Sequence, residues 1–218
     1  MPEFNPQFLL SLETLIFASV ILMHLVKKSS SMISLYILQS AVVVFLLLTH
    51  LFSDFSFSLL AVIILVFAVK VLVAPRFFFK LINRHQLKFT ISNFLNSPLT
   101  LIVLAVLTAV SHSGALKPLV GLAGGNGDAL LISISVILIS LFLIVNKRGA
   151  LSQMIGILSL ENGIVSFAFL MGLEQAPALE LGIIFDILVW IIIASVFASM
   201  IYKQFGSLDV TSMKHLKE

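Results

Sequence analysis

Residues 129–170 read ALLISISVILISLFLIVNKRGALSQMIGILSLENGIVSFAFL, two apolar runs joined by the basic turn Asn146-Lys147-Arg148-Gly149. The run before the turn holds no ionisable residue, and the run after it holds one, Glu161. Each is close to the roughly 20 residues an α-helix needs to cross a bilayer. Lipid offers no water to the backbone, so every amide must be satisfied within its own segment and both runs read as helices. The stretch therefore predicts a membrane hairpin whose second helix carries a carboxylate.

The rest of the chain extends this pattern. Its 218 residues are 60% hydrophobic and 11% charged, with a mean hydropathy of +1.16. A soluble domain carries about 25% charged residues to cover its surface, so an all-α membrane protein is expected. Apolar runs place about seven transmembrane helices near Phe8–Val26, Met32–Phe52, Phe57–Phe79, Ile91–Ser111, Ala129–Val145, Leu151–Leu173 and Leu179–Tyr202. The opening lacks a basic segment ahead of its apolar run and reads as a retained first helix rather than a signal peptide.

The charges fall in short clusters between the runs. Lys27 and Lys28, then Arg76, Lys80, Arg84 and Lys88, then Lys147 and Arg148, then Lys203, Lys214 and Lys217 share one side, with Lys117 alone on the other. Glu3, Asp54, Asp128 and Glu174 lie opposite. By the positive-inside rule the N-terminus is expected outside (periplasmic) and the C-terminus cytoplasmic, in a multi-pass protein of the cell inner membrane. The net charge of +3 is thus a topology signal, and no nucleic acid is expected.

The chain has no cysteine, and its five histidines are scattered without ligand spacing. No metal site or cofactor is expected in it, and any redox cofactor belongs to another subunit. The loop Gly121–Asp128, GLAGGNGD, lacks the lysine-serine/threonine end of a phosphate loop and reads as a flexible turn closed by an Asp128 helix cap.

The two halves resemble each other. VKKSSSMISLYILQSAVVVF at residues 26–45 parallels NKRGALSQMIGILSLENGIVSF at 146–167: a basic turn, then a helix with polar groups two or three turns in. The pairing sets Gln39 and Ser40 opposite Glu161 and Asn162, and Lys70 near Asp186. It gives a possible parallel repeat: a three-helix unit at 1–90, a connector helix and outer loop at 91–128, a second three-helix unit at 129–204, and a tail at 205–218.

Three ionisable residues sit deep in the runs: Lys70, Glu161 and Asp186. Each costs at least about 2.5–3.5 kcal/mol at a bilayer centre, which marks intramembrane charges as functional candidates. Carboxylates removed from water respond strongly to neighbouring charge, so Glu161 and Asp186 suit a proton relay, with Lys70 as counter-ion or relay member. Gln39, Ser40 and Asn162 can orient bridging waters.

Plainer readings stand beside these. The carboxylates can be paired packing groups, and Lys70 can snorkel toward Arg76. Glu13 and Glu180 read as solvated near helix ends, and His24, His50 and His112 as interfacial. The 19 phenylalanines, Met154, Met171 and Trp190 read as packing or lipid contact. Gly156 and Gly163 permit close helix approach.

Two resemblances follow from these motifs. Lys147-Arg148, Ile155-Gly156, Glu161, Asn162, Asp186 and Leu208-Asp209-Val210 make residues 132–209 resemble the K subunit of respiratory complex I and its relative in multisubunit sodium/proton antiporters. Over the whole chain, Leu38-Gln39-Ser40, Lys70-Val71-Leu72 with Pro75, Glu161-Asn162-Gly163 and Gly206-Ser207-Leu208-Asp209-Val210 resemble component E of hydrogenase-4 type complexes. In the complex I subunit the first carboxylate follows the glycine by two residues, where this chain has Leu158. Glu161 comes three residues later, about one turn along and about 60° round the helix.

The resemblance implies a non-catalytic membrane-arm subunit of a group 4 [NiFe]-hydrogenase-related assembly. Its implied partners are antiporter-like membrane subunits, a hydrogenase-like redox module and the lipid bilayer. Glu161, Asp186, Lys70, Gln39 and Asn162 would then contribute to a proton path. The alternatives are a stand-alone secondary transporter, against which the sequence predicts no interrupted helix near the charges, and a purely structural subunit. No nucleophile, base and orienting group occur in a pattern that would make the chain itself an enzyme.

Overall fold

The computed structural model describes residues 5–53, 55, 57–84, 92–121, 123–172, 195 and 199. Among these, every element is helical apart from an isolated antiparallel bridge between Asn93 and Lys147. In chain order the helices are α1 (Pro6–Leu25), α2 (Ser29–Ser53), α3 (Phe57–Val66), a π-helical segment (Phe67–Val73), α4 (Ala74–Arg84), α5 (Ser97–Ser111), the short α6 (Lys117–Val120), α7 (Gly127–Asn146) and α8 (Ala150–Leu170). Among the described residues five stretches are long and apolar enough to cross a membrane: α1, Ser29–Thr49 of α2, Leu59–Lys80 through the π segment, α7 and α8. The expected seventh helix, with Glu180, Asp186 and Trp190, lies outside the described residues apart from Ser195 and Ser199, and the tail lies outside them altogether.

α1 and α2 form one hairpin and α7 and α8 another. The hairpins pack side by side, α1 on α7 and α2 on α8, while α5 rests on α7 and the π segment and α4 rest on α2. Lipid tails are as apolar as leucine, so this association depends on close fit rather than on exclusion of water. α8 supplies the fit through glycine. A Cβ on Gly156 would meet Ile144 Cγ1 at 2.9 Å, and one on Gly163 would meet Val136 Cγ1 at 3.0 Å. The two glycines, about two turns apart on one face, let the α8 backbone run against α7.

Two elements differ from the sequence expectation. α5 begins at Ser97 rather than near residue 91, because Asn96 Oδ1 accepts from Leu99 N at 3.0 Å and Pro98 occupies the first turn, a strong start signal. At 15 residues it is shorter than the five membrane-length stretches. The α7 cap also shifts. Asn126 holds the N-cap position and Asp128 lies inside the first turn, after Gly124 and Gly125 turn the chain at φ of 53° and 99°. Their positive φ explains the glycine run without any phosphate.

The chain before α5 closes the basic end of the bundle. Phe94 N donates to Asn146 O at 2.8 Å, Arg148 N donates to Ser92 O at 3.2 Å, and Leu95 N donates to Asn146 Oδ1 at 3.0 Å. The Arg148 guanidinium stands 4.8 Å from the centre of the Phe94 ring. Lys147 has no exposed surface, and its Nζ donates to His24 O at 3.2 Å, where Asn93 Nδ2 also donates at 3.2 Å. A cation here complements the negative C-terminal end of α1. Lys147 is therefore a structural cap as well as a basic residue of the turn.

Burial pushes the Lys147 ammonium down from 10.5 to about 8. Because the folded value is depressed, the unfolded chain binds more protons between about 8 and 10.5, and stability rises with pH through that window. Thermal unfolding in detergent should show wild type gaining on Lys147→Met as pH is raised from 7 to 10, each kcal/mol moving Tm by about 2–4 °C. A Tm difference between the two that stays constant with pH would contradict this.

Candidate functional site

The buried face of α8 carries Ser152, Ile155, Gly156, Ser159, Asn162, Gly163 and Ser166, a helical stripe that alternates small and polar groups. Opposite it, α2 buries Ile33, Tyr36, Gln39, Ser40 and Val43 at the same periodicity. The two stripes meet at Asn162, whose Nδ2 donates to Ser40 Oγ at 3.0 Å and to Gln39 Oε1 at 3.3 Å. With both amide hydrogens engaged by α2, the carbonyl oxygen points to the third side. There it accepts from Lys70 Nζ at 3.0 Å. Lysine can only donate, so its position fixes which way round the Asn162 amide lies.

Lys70 also lies 3.1 Å from Glu161 Oε1. Lys70 is 1% exposed and the Glu161 side chain 19%, so the cation is enclosed while the carboxylate keeps one open side. The snorkelling reading of Lys70 is thereby corrected: its stem does not reach for the helix end but holds the ammonium between α2 and α8. A buried pair of this kind is tolerated only where hydrogen bonds complete it, and Asn162 does so.

The segment that presents Lys70 is itself unusual. Phe67–Val73 is π-helical, and Ala74 N bonds back to Val69 O, five residues earlier. The next donor in that series would be Pro75, which has no N–H, and the chain rewinds there as α4. π segments of this kind occur mostly as local bulges, frequently at functional sites. The sequence predicts no interruption near the charges, and the structure differs at Lys70, where the winding turns π-helical. Pro75 was the available signal.

A second carboxylate is buried where the sequence predicts a solvated one. Glu13 of α1 is fully enclosed, and Ser166 Oγ hydrogen-bonds to its Oε1. The expectation that Glu13 is solvated is overturned, because it falls on the inward face of α1 with Leu9, Leu12, Ile16, Ser19, Val20 and Met23. That i, i+3, i+4, i+7 spacing was legible and outweighs its distance from the helix end. His24 is likewise buried rather than interfacial, its Nε2 3.1 Å from Ile139 O and its ring stacked on Phe142 with centroids 5.0 Å apart. His112 is exposed at the end of α5, and the side chain of His50 lies outside the described residues. Ser140 of α7 and Ser159 of α8 approach to 3.0 Å, adding a polar contact on the other side of Asn162.

Lys70, Glu161, Asn162, Gln39 and Ser40 thus come together as one hydrogen-bonded group, and Asp186 lies outside the described residues. Among the described residues no group of three or more histidines and carboxylates could hold a metal ion. Chemically the group holds two opposite charges in contact, with neutral amide and hydroxyl groups linking three helical elements.

No family model matches the chain, and no solved structure matches it. An uncharacterised protein of Mycobacterium tuberculosis is 29% identical over 163 residues, covering 74% of each chain. Hydrogenase-4 component E of Escherichia coli K12 is 28% identical over 121 residues, 55% of this chain and 56% of that protein. The component E of Shigella flexneri matches to the same extent. The chain spans about half the length of these component E proteins.

Proposed function

We propose that the protein is a non-catalytic membrane subunit of a complex I-like, hydrogenase-4 type assembly, and that it contributes the Lys70–Glu161 pair to a proton path. The observation that carries this reading is the completed ion pair inside apolar helices, with Lys70 bridged through Asn162 to Gln39 and Ser40. Charges this costly persist in membrane helices chiefly where they move ions or protons. The similarity to hydrogenase-4 component E supports the class of assembly. On this reading Asp186 continues the path in a seventh helix, the two hairpins are copies in a parallel repeat, and the basic end of the bundle faces the cytoplasm of the inner membrane. Antiporter-like subunits and a hydrogenase-like redox module are the partners.

Glu161→Gln and Lys70→Met variants of the assembled complex, in inverted membrane vesicles, test the proposal. Electron transfer should continue while proton uptake falls by at least about tenfold, in line with loss of a positioned proton carrier. Proton uptake at the wild-type level in both single variants and the double variant would refute it.

A stand-alone secondary transporter is the second reading, favoured by the π segment around Lys70, since transporters bind substrate where helices are interrupted. Solute-dependent current from the purified chain in liposomes would establish that reading instead.

A further inference from the structure

The second carboxylate extends the polar line. Glu13 has no exposed surface, Oε1 is bonded to Ser166, and Oε2 is buried with no hydrogen-bond partner among the described residues. Among the described residues it has no cation partner, in contrast to Glu161. Ser166 lies one helical turn beyond Asn162 on the same buried face of α8, a rise of about 6 Å. That is the reach of one bridging water between two polar groups. From Glu13 the α1 helix runs about 10 Å further to its N-terminus, at the end of the bundle away from Lys147. A carboxyl placed here stands between that end and the Lys70–Glu161 pair.

A packing role alone leaves much of this unexplained. Ser166 needs one acceptor, which a carbonyl of its own α8 helix could supply, as Ser135 finds in Leu131 O at 2.9 Å. A glutamate instead brings a second oxygen into a place with no donor among the described residues, a cost of roughly 1–3 kcal/mol for the buried polar atom. The group left without a partner is the one that could receive a proton.

We propose that Glu13 is a proton-binding carboxyl of the same path, exchanging with the Lys70–Glu161 pair through Ser166 and one bridging water. This rests on the reading of that pair as proton-conducting. A proton arriving from the α1 N-terminal end binds Oε2. The Ser166 hydroxyl then turns its hydrogen from Oε1 toward the bridging water beside Asn162, and the protonated carboxyl turns its O–H onto Ser166 Oγ. The carboxyl proton passes to Oγ as the hydroxyl hydrogen passes to that water. Only O–H bonds form and break, one proton enters as one leaves, and no electrons move.

Glu13→Gln keeps the shape and a hydrogen bond to Ser166 but cannot carry the proton. In the assembled complex in vesicles it should leave electron transfer intact and slow proton uptake by at least about tenfold, with partial recovery in Glu13→Asp. Infrared difference spectra of the purified chain in lipid nanodiscs, recorded between acid and alkaline buffer, should show a carboxyl C=O band that Glu13→Gln removes and Ser166→Ala shifts. Wild-type proton uptake in Glu13→Gln alongside a defective Glu161→Gln overturns the Glu13 proposal and leaves the central pair standing. Wild-type uptake in both overturns the underlying reading. Should Glu13→Gln fail to assemble, the spectra decide, and the absence of any carboxyl band that responds to Ser166→Ala overturns the proposal.

Discussion

Replacing Glu161 by glutamine destabilises the protein by about 3–5 kcal/mol, the cost of leaving a buried charge without its partner. Lys70 is 1% exposed, and it would retain only the Asn162 oxygen at 3.0 Å. Lys70→Met is expected to cost less, because the abandoned Glu161 side chain is 19% exposed and so less completely enclosed than Lys70. The double variant Lys70→Met/Glu161→Gln should recover most of the loss, since it leaves no unpaired charge buried. Unfolding in mixed detergent micelles measures all four proteins. The coupling energy from the cycle should exceed about 1 kcal/mol, as expected for groups in direct contact. Additivity within about 0.5 kcal/mol would mean that the two side chains do not act as a pair.

The asymmetry of that cycle bears on function. A pair in which both partners were sealed would be a static lock. Here the enclosed member is the cation and the partly open member is the carboxylate. Lys70 is held by Asn162 and sets the field at Glu161, and on the proposed function Glu161 is the member that exchanges protons. The π segment places Lys70 where it meets both α2 and α8.

How much of this the sequence carries differs from residue to residue. The α7–α8 hairpin is fully legible, since apolar length and a basic turn leave lipid-embedded helices as the solution and Gly156 and Gly163 announce the close packing. That Lys70, Glu161 and Asn162 deserve attention is legible from their cost in an apolar run. That they touch is not, because contact between residues 92 positions apart depends on how α2, α8 and the π segment assemble. Glu13 was legible but misjudged, since its depth from the helix end was weighed above its place on the inward stripe with Leu9, Ile16 and Val20. Lys147 was misread in another way. Positive-inside reasoning counts it with the basic residues at the membrane surface, and only the fold reveals that it reaches back to cap α1. The π segment had a single faint signal in Pro75, because propensity does not distinguish π from α winding over a run such as FAVKVLV.

Gly163→Leu should lower stability by about 1–3 kcal/mol or more through overpacking against α7. A Cβ at Gly163 stands 3.0 Å from Val136 Cγ1, 3.2 Å from Ile137 Cγ1 and 3.3 Å from Ile137 N. The first two are side-chain atoms of β-branched residues with little rotamer freedom in a helix, and the third is backbone that cannot move alone. α8 must therefore shift away from α7. Asn162 adjoins Gly163 in the chain, so the shift carries its amide out of line with Ser40, Gln39 and Lys70. Two consequences are expected: lower stability, and a smaller Lys70–Glu161 coupling energy in a cycle repeated on the Gly163→Leu background. Gly156→Leu separates these effects. Its Cβ meets Ile144 Cγ1 at 2.9 Å and Ile144 N at 3.3 Å, an equally tight site, but it lies about two turns nearer the Lys147 end. It should cost comparable stability while leaving the coupling close to its wild-type value. Loss of coupling in both variants alike would mean that the pair depends on the overall α7–α8 separation rather than on the local position of Asn162.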